Sequence, residues 1–235
     1  MSIRTQEHLF DSLAGDIIWR KREISTLRWM LSKATPDRKA PLLRATVALV
    51  YAHWEGFIKT AACAYLEFLH FRRFTYRQLA PNFVALGARS ILRRAGATNR
   101  LAAHLEVTDF FLSRLGEQCR LPFKDGLHTD SNLSSTVLKD IVQTLGLDFS
   151  PFETKAHLID ERLLRSRNTI AHGEYMILDE ATVDELANEV VAMLEAFRTQ
   201  IDNAVALCSY RPVSIKETAN KRMYQNAGRA ASARE

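Results

Sequence analysis

The sequence contains little glycine, proline or cysteine: nine, six and three residues respectively in a chain of 235. So few turn-forming residues favour long regular elements over a loop-rich β fold. The cysteines, Cys63, Cys119 and Cys208, are too few and too widely spaced for a zinc-binding motif or a disulfide framework. We therefore expect a protein of the reducing cytoplasm, without a disulfide scaffold and without a metal site.

Long hydrophobic runs are also missing. No apolar stretch approaches the roughly 20 residues that a transmembrane helix needs. The stretch 47–52 is apolar, but Glu55 and Lys59 follow it closely. The first residues include acids and lack the apolar segment of a secretory signal. Neither membrane insertion nor secretion is expected, and 47% hydrophobic residues suffice for a sizeable core.

The charges that sum to the net value of +5 are distributed unevenly along the chain. Residues 68–105 contain seven arginines and no acid, and residues 208–235 are also basic, whereas residues 106–207 contain nine bases and eighteen acids. A basic block can bind nucleic-acid phosphates. The same arginines can instead pair with the acids of 106–207 inside one fold. Composition leaves both interpretations open.

Apolar residues recur at helical spacing through most of the chain. The pattern predicts a first helix over 9–31, a second from Pro41 in its first turn to about Phe71, an arginine-rich third over 76–94 interrupted near Pro81, and a fourth over 100–115 with Leu101, Leu105, Phe111 and Leu115 on its stripe. Capping residues predict a short helix from Ser134 or Ser135 to Leu145, another from Pro151 to about Ala171 that ends at Gly173, and a last one that begins at Asp179.

We therefore predict an all-α protein with one domain over 1–207. Periodicity fails between Gly116 and Asn132, and strand evidence is confined to residues 175–178. Residues 208–235 are basic and rich in small and polar residues. We expect them to form a flexible tail.

The most informative stretch is ERLLRSRNTIAHGEY, residues 161–175, at the end of the helix that Pro151 begins. Arg167, Asn168 and His172 form R-N-x-x-x-H, and Gly173 follows. At about 100° per residue, Asn168 and His172 lie about 40° apart on one helix face. Arg165 lies about 20° from His172, but Arg167 lies about 140° away. Either arginine is therefore a candidate partner of His172.

These residue types together suit cleavage of a phosphodiester by its own 2′-hydroxyl. An imidazole can move a proton near neutral pH, and a guanidinium stabilises charge on phosphate oxygens. An amide can orient either group, and no metal or other cofactor is required. The alternative is a helix C-terminus at which His172 and the arginines complement the helix dipole.

The motif resembles that of the HEPN superfamily. Residues 50–59, VYAHWEGFIK, are similar to the first core-helix signature of the MAE-type HEPN-like nucleases. The resemblance covers about residues 40–205, with an insertion-like region at about 75–135, and implies an antiparallel helical bundle with additional helices. The implied activity is that of a metal-independent endoribonuclease, often a toxin or an anti-phage effector. It also implies a homodimer with a composite cleft, RNA (a single strand or a tRNA loop) as substrate, and an antitoxin or defence-system protein as a possible partner.

The resemblance also assigns roles to residues. Arg167 and His172 would be the catalytic pair, with Asn168 as the polar residue after the arginine and Glu55 as an orienting acid. Alternatively, Glu55 is a surface carboxylate or a partner of Lys59. His53 would line the cleft, although a histidine among aromatic residues is more often packed in the core.

The basic block offers a possible RNA track with interleaved aromatic residues. Its alternative is a set of solvated or paired arginines. The arginines of this candidate track are Arg72, Arg73, Arg77, Arg89, Arg93 and Arg94.

Two competing functions remain. The first is a non-catalytic HEPN-like module that binds RNA, a nucleotide or a protein, which the negative charge of Glu174 beside the motif favours. The second, a DNA-binding regulator, lacks a helix-turn-helix spacing.

Tyr175 falls one position later than in the R-x(4–6)-H-x-Y pattern of nucleotide-modified HEPN toxins.

Overall fold

The computed structural model describes residues 2–124 and 132–213, most of which are helical. A π-helix, Leu158–Leu164, runs directly into a short α-helix, and a 3₁₀ turn, Tyr76–Gln78, follows the second long helix. The predicted all-α class is confirmed for this part of the chain. Its α-helices are α1 (Gln6–Lys33), α2 (Pro36–Phe71), α3 (Pro81–Gly96), α4 (Leu101–Ser113), α5 (Ser135–Thr144), α6 (Ser150–Glu153), α7 (Arg165–Ala171) and α8 (Glu180–Ala206).

The first two helices form a hairpin around Ala34 and Thr35. The stripe predicted for α1 is buried along its whole length. The predicted start of α2 at Pro41 is wrong, because the helix begins at Pro36. Proline suits a first helical position, where its fixed φ fits and no amide donor is needed. Pro41 is therefore an internal proline of this helix.

α2 is the central element of the domain. Its apolar residues, among them Trp54, Phe57 and Tyr65, are fully buried, as the core interpretation of the aromatic residues predicted. One side of α2 packs against α1, another against α8 and a third against α7. None of the helices within 2–124 and 132–213 is both long and apolar enough to cross a membrane.

α8 begins where the sequence predicted, and it runs antiparallel to α1. The Asp179 carboxylate accepts a hydrogen bond from the N–H of Thr182 at 2.7 Å, which caps the first turn. Along the α1–α8 contact, Lys21 lies 2.8 Å from Glu195 and Arg28 lies 2.7 Å from Asp184. These acids of the negative segment therefore pair with bases of α1 rather than with the arginines of 68–105.

The predicted stripe of α4 is wrong. Leu101 and Leu105 are 71% and 55% exposed, and the buried residue of this helix is Phe110. The Phe110 ring meets Tyr76 edge-on at 4.8 Å between centroids. α4 therefore contacts the core through Phe110 and the partly buried Val107, while Leu101, Leu105 and Leu112 face solvent.

The helix predicted from Pro151 to Ala171 is interrupted. α6 ends at Glu153, and the chain turns before the π-helix and α7 resume the same segment. Phe152 anchors α6 in the core, between the rings of Trp54 and Phe197. Residues 175–178 pair with no strand in the described part of the chain.

The packed chain extends beyond the predicted boundary at residue 207. Tyr210 is 3% exposed and packs against the rings of Phe68 and Phe74. Its carbonyl accepts a hydrogen bond from the N–H of Ala80 at 2.8 Å. Residues 214–235 of the predicted tail and residues 125–131 of the predicted insertion-like region lie outside the described residues.

A buried guanidinium joins α1 to α2. The Nε of Arg20 donates to Asp16 at 2.8 Å, and its Nη1 donates to the carbonyl of His53 at 3.3 Å. The same Nη1 would lie 2.8 Å from a Cβ placed on Gly56. Glycine at position 56 therefore leaves room for the close approach of the arginine, and its backbone conformation does not call for glycine.

We predict opposite effects for one substitution at two helical glycines. Gly56→Ala should lower the free energy of unfolding by about 1–2 kcal/mol, since the added methyl displaces the buried Arg20 guanidinium. Gly15→Ala in α1 meets no atom within 4 Å and should raise it by about 0.5–1 kcal/mol through helix propensity. Urea unfolding followed by circular dichroism checks both variants. Equal stabilisation by the two would contradict the account of Gly56.

Candidate active site

The R-N-x-x-x-H motif lies on α7 and at its C-terminal end. His172 is the C-cap residue, and its N–H donates to the carbonyl of Asn168 at 3.0 Å. Gly173 has a φ of +76°, its N–H donates to Ile170, and the next N–H donates to Thr169. This is a Schellman ending, which favours glycine at its left-handed position. The predicted stop at Gly173 is confirmed, and it leaves the His172 side chain exposed.

The two candidate arginines occupy different sides of α7. Arg165 is exposed, donates to Glu161 at 3.0 Å and borders the same concavity as His172. The guanidinium of Arg167 instead faces α2, 4.8 Å from the centre of the Tyr51 ring. This separation agrees with the helical angles, which placed Arg165 near His172 and Arg167 well away from it.

Asn168 connects the two sides. Its Oδ1 accepts a hydrogen bond from Nη1 of Arg167 at 2.7 Å. The same residue lines the concavity together with His172. Arg167 therefore contacts Asn168, which lines the concavity, but Arg167 does not line the concavity itself.

The concavity is an open depression of about 440 Å³ at the end of α7. It combines a guanidinium, an imidazole and an amide with three carboxylates. Asp160 accepts hydrogen bonds from the N–H and Oγ of Ser135, at 2.7 and 2.5 Å, so its charge is partly compensated. The lining residues are Asp160, Glu161, Leu164, Arg165, Asn168, Thr169, His172 and Glu174.

Glu55 lies beside Tyr51 on the face of α2 that meets α7. Its side chain is 11% exposed, and it accepts a hydrogen bond from Nζ of Lys59 at 2.7 Å. It also accepts one from the Tyr51 hydroxyl. Glu55 is therefore both the predicted partner of Lys59 and a buried acid one side chain away from Arg167. The alternative of an ordinary surface carboxylate is wrong.

His53 lies on the opposite face of α2, against α1. Its ring meets Trp19 edge-on, and its Nε2 lies 2.8 Å from a carboxylate oxygen of Glu23. Burial lowers the pKa of His53 below its ordinary value. The structure thus places His53 among packed side chains, away from the residues that line the concavity.

The candidate RNA track is exposed but does not border the concavity. Arg94 pairs with Glu106 at 2.5 Å, the kind of internal pairing that the sequence left open. The guanidinium of Arg72 lies over the ring of Phe68 at 5.6 Å. A role in RNA binding for this track, whose other members are Arg73, Arg77, Arg89 and Arg93, stays a prediction.

Sequence reasoning missed two residues at this site, Tyr51 and Asn132. Tyr51 precedes Glu55 by one helical turn in the VYAHWEGFIK segment, so helical spacing could have indicated it. Asn132 accepts a hydrogen bond from Nη1 of Arg167 at 3.1 Å, and nothing in the sequence signals this contact. Within the described ranges, no group of three or more His, Cys, Asp and Glu residues is arranged to hold a metal ion.

Comparison with family models identifies one match, RiboL-PSP-HEPN, over residues 16–203. Neither the curated proteins nor the solved structures contain a significant match. The family match extends further towards the N-terminus than the predicted resemblance and includes most of α1. It confirms the predicted HEPN membership, while the MAE-type subgroup stays a prediction. The chain therefore belongs to the RiboL-PSP-HEPN family, and it is a HEPN-type domain, a kind that commonly acts as a ribonuclease or binds RNA.

Proposed function

We propose that the protein is a metal-independent endoribonuclease that cleaves single-stranded RNA or a tRNA loop. The observation that carries the proposal is the ending of α7 at Gly173, which exposes His172 beside Asn168 and Arg165 in an open concavity. A HEPN-type domain that presents these groups together has the parts that transesterification needs.

In the proposed reaction, the imidazole of His172 takes the proton of the RNA 2′-hydroxyl. The 2′-oxygen forms a bond to phosphorus, and the bond to the 5′-oxygen of the next nucleotide breaks. That oxygen takes up a proton from water, and the imidazolium of His172 later returns its proton to the solvent. The products carry a 2′,3′-cyclic phosphate and a 5′-hydroxyl. Guanidinium groups stabilise the extra negative charge on the phosphorane-like transition state.

A second copy of the chain completes the proposed cleft. HEPN domains often dimerise. Within one chain, Arg167 and His172 point to different sides of α7, and Asn168 lies between them. Two motifs facing each other would let the arginines of one protomer approach the histidine of its partner. Asn168 would line the cleft that the two protomers share.

We further propose that cleavage arrests growth, as in a toxin or an anti-phage effector. An antitoxin or another defence-system protein would then hold the activity in check. The basic residues of 68–105 would attract RNA, because the acids that line the concavity do not.

A non-catalytic binding module is the second candidate, and the carboxylates favour it. Glu161 and Glu174 line the concavity together with His172, and their carboxylates repel phosphate. A module that binds a cationic or neutral partner tolerates these charges better than an RNA site does. RNA binding without cleavage would select this candidate.

We predict that His172→Ala lowers the rate of RNA cleavage by about 10²–10⁴-fold through loss of proton transfer. Arg167→Ala should lower it by about 10²–10³-fold through loss of charge stabilisation. Single-turnover cleavage of labelled RNA measures both. The matched control is His157→Ala, at an exposed histidine of the same chain segment, and it should cleave at the wild-type rate. Full cleavage by both motif variants, each correctly folded, would contradict the proposal.

We also predict that cleavage is unchanged in excess EDTA. In-line attack by the 2′-hydroxyl needs no metal, and it leaves 2′,3′-cyclic phosphate ends, which mass spectrometry of the products identifies. A strict Mg²⁺ requirement, or products with 3′-hydroxyl and 5′-phosphate ends, would exclude this chemistry.

A further inference from the structure

Tyr51 lies between the core of the domain and the candidate active site. Its side chain is almost fully buried, and its ring faces the guanidinium of Arg167 at 4.8 Å. Its hydroxyl oxygen accepts a hydrogen bond from the N–H of Leu133 at 2.8 Å and donates its proton to Glu55. Burial raises the pKa of Tyr51 to about 12, so the phenol stays protonated and can act as this donor.

The segment 132–135 contacts the arginine through Asn132. Asn132 accepts a hydrogen bond from Nη1 of Arg167, and Leu133 donates to Tyr51. Ser135 is held by Asp160 of the π-helix through both its N–H and its hydroxyl. The hydroxyl of Tyr51 therefore ties α2 to a short segment that also contacts Arg167.

These contacts restrain the arginine in two directions. The aromatic face confines the guanidinium plane, since cations favour the face of an aromatic ring. The amide oxygens of Asn132 and Asn168 orient its edge. An arginine held in this way loses less conformational freedom when it meets a phosphate than one on an open surface does.

We propose that Tyr51 is a positioning residue for Arg167. Its ring holds the guanidinium, and its hydroxyl fixes the segment 132–135 that contacts the same group. Only the expected effect of Tyr51 on RNA cleavage rests on the proposed function. The positioning itself can be observed without RNA.

The first test measures the position of the Nε–Hε NMR signal of Arg167. The variant Arg167→Lys lacks this signal and so assigns it. Ring currents should shift this signal in the wild type and in Tyr51→Phe. In Tyr51→Leu the signal should move towards that of exposed Arg165. The matched control is Tyr65→Leu, at another buried tyrosine of α2, which should leave the Arg167 signal in place. An unchanged Arg167 signal in Tyr51→Leu would overturn the proposal.

Tyr51→Phe removes a single oxygen atom and keeps the test decisive if the leucine variant does not fold. In Tyr51→Phe the amide hydrogen of Leu133 should exchange with solvent markedly faster than in the wild type, because the hydroxyl that accepts its hydrogen bond is gone. The Arg167 signal should remain shifted. Unchanged exchange at Leu133 would overturn the role of the hydroxyl, and a lost ring-current shift would overturn the role of the ring.

The second test measures cleavage. Tyr51→Leu should lower kcat by about tenfold or more and leave KM within about twofold, since the misplaced arginine serves mainly the transition state. In the Arg167→Ala background the same substitution should cause no further loss. An equal further loss there would show that Tyr51 does not act through Arg167. If the wild type cleaves no RNA, the proposed function fails, and the NMR result alone decides the role of Tyr51.

Discussion

The burial of α2 on three sides determines where the other elements lie. α1 packs on one side, α8 and the aromatic core lie against another, and α7 occupies the third. Trp54, Phe57 and Tyr65 are fully excluded from water, and each such side chain contributes about 1.5–3 kcal/mol to folding. The motif helix is thus docked on a helix with an extensively buried apolar face, which suits a site whose groups must keep a fixed geometry.

Two arginines contact opposite faces of α2 within the VYAHWEGFIK segment, and their surroundings differ. Arg20 is buried against Gly56 and His53, with Asp16 as its counter-ion. Arg167 is only partly buried, lies on the ring of Tyr51 and donates to Asn168, which lines the concavity. The same segment therefore both closes the α1–α2 contact and supports the motif. This double use gives a physical reason for the residue pattern YAHWEGF.

Local patterns predicted the long helices, whereas contacts between distant residues were not predictable. The stripes of α1 and α8, the cap at Asp179 and the stop at Gly173 each depend on residues within a few turns. The relation of Arg165 to His172 also followed from helical angles. The stacking of Arg167 on Tyr51 and its bond to Asn132 depend on how separate elements dock. The exposed face of α4 and the π-helix before α7 likewise reflect tertiary packing, which overrides the local pattern.

The account depends most on the claim that RNA supplies its own nucleophile at the concavity of His172. The most direct measurement compares an RNA oligonucleotide with the same sequence carrying a single 2′-deoxynucleotide on the 5′ side of its mapped cleavage site. The account predicts that the deoxy-substituted strand stays intact at this site, while the all-ribose strand is cut. Cleavage of both strands at the same rate would contradict it, because the attacking oxygen would then come from elsewhere.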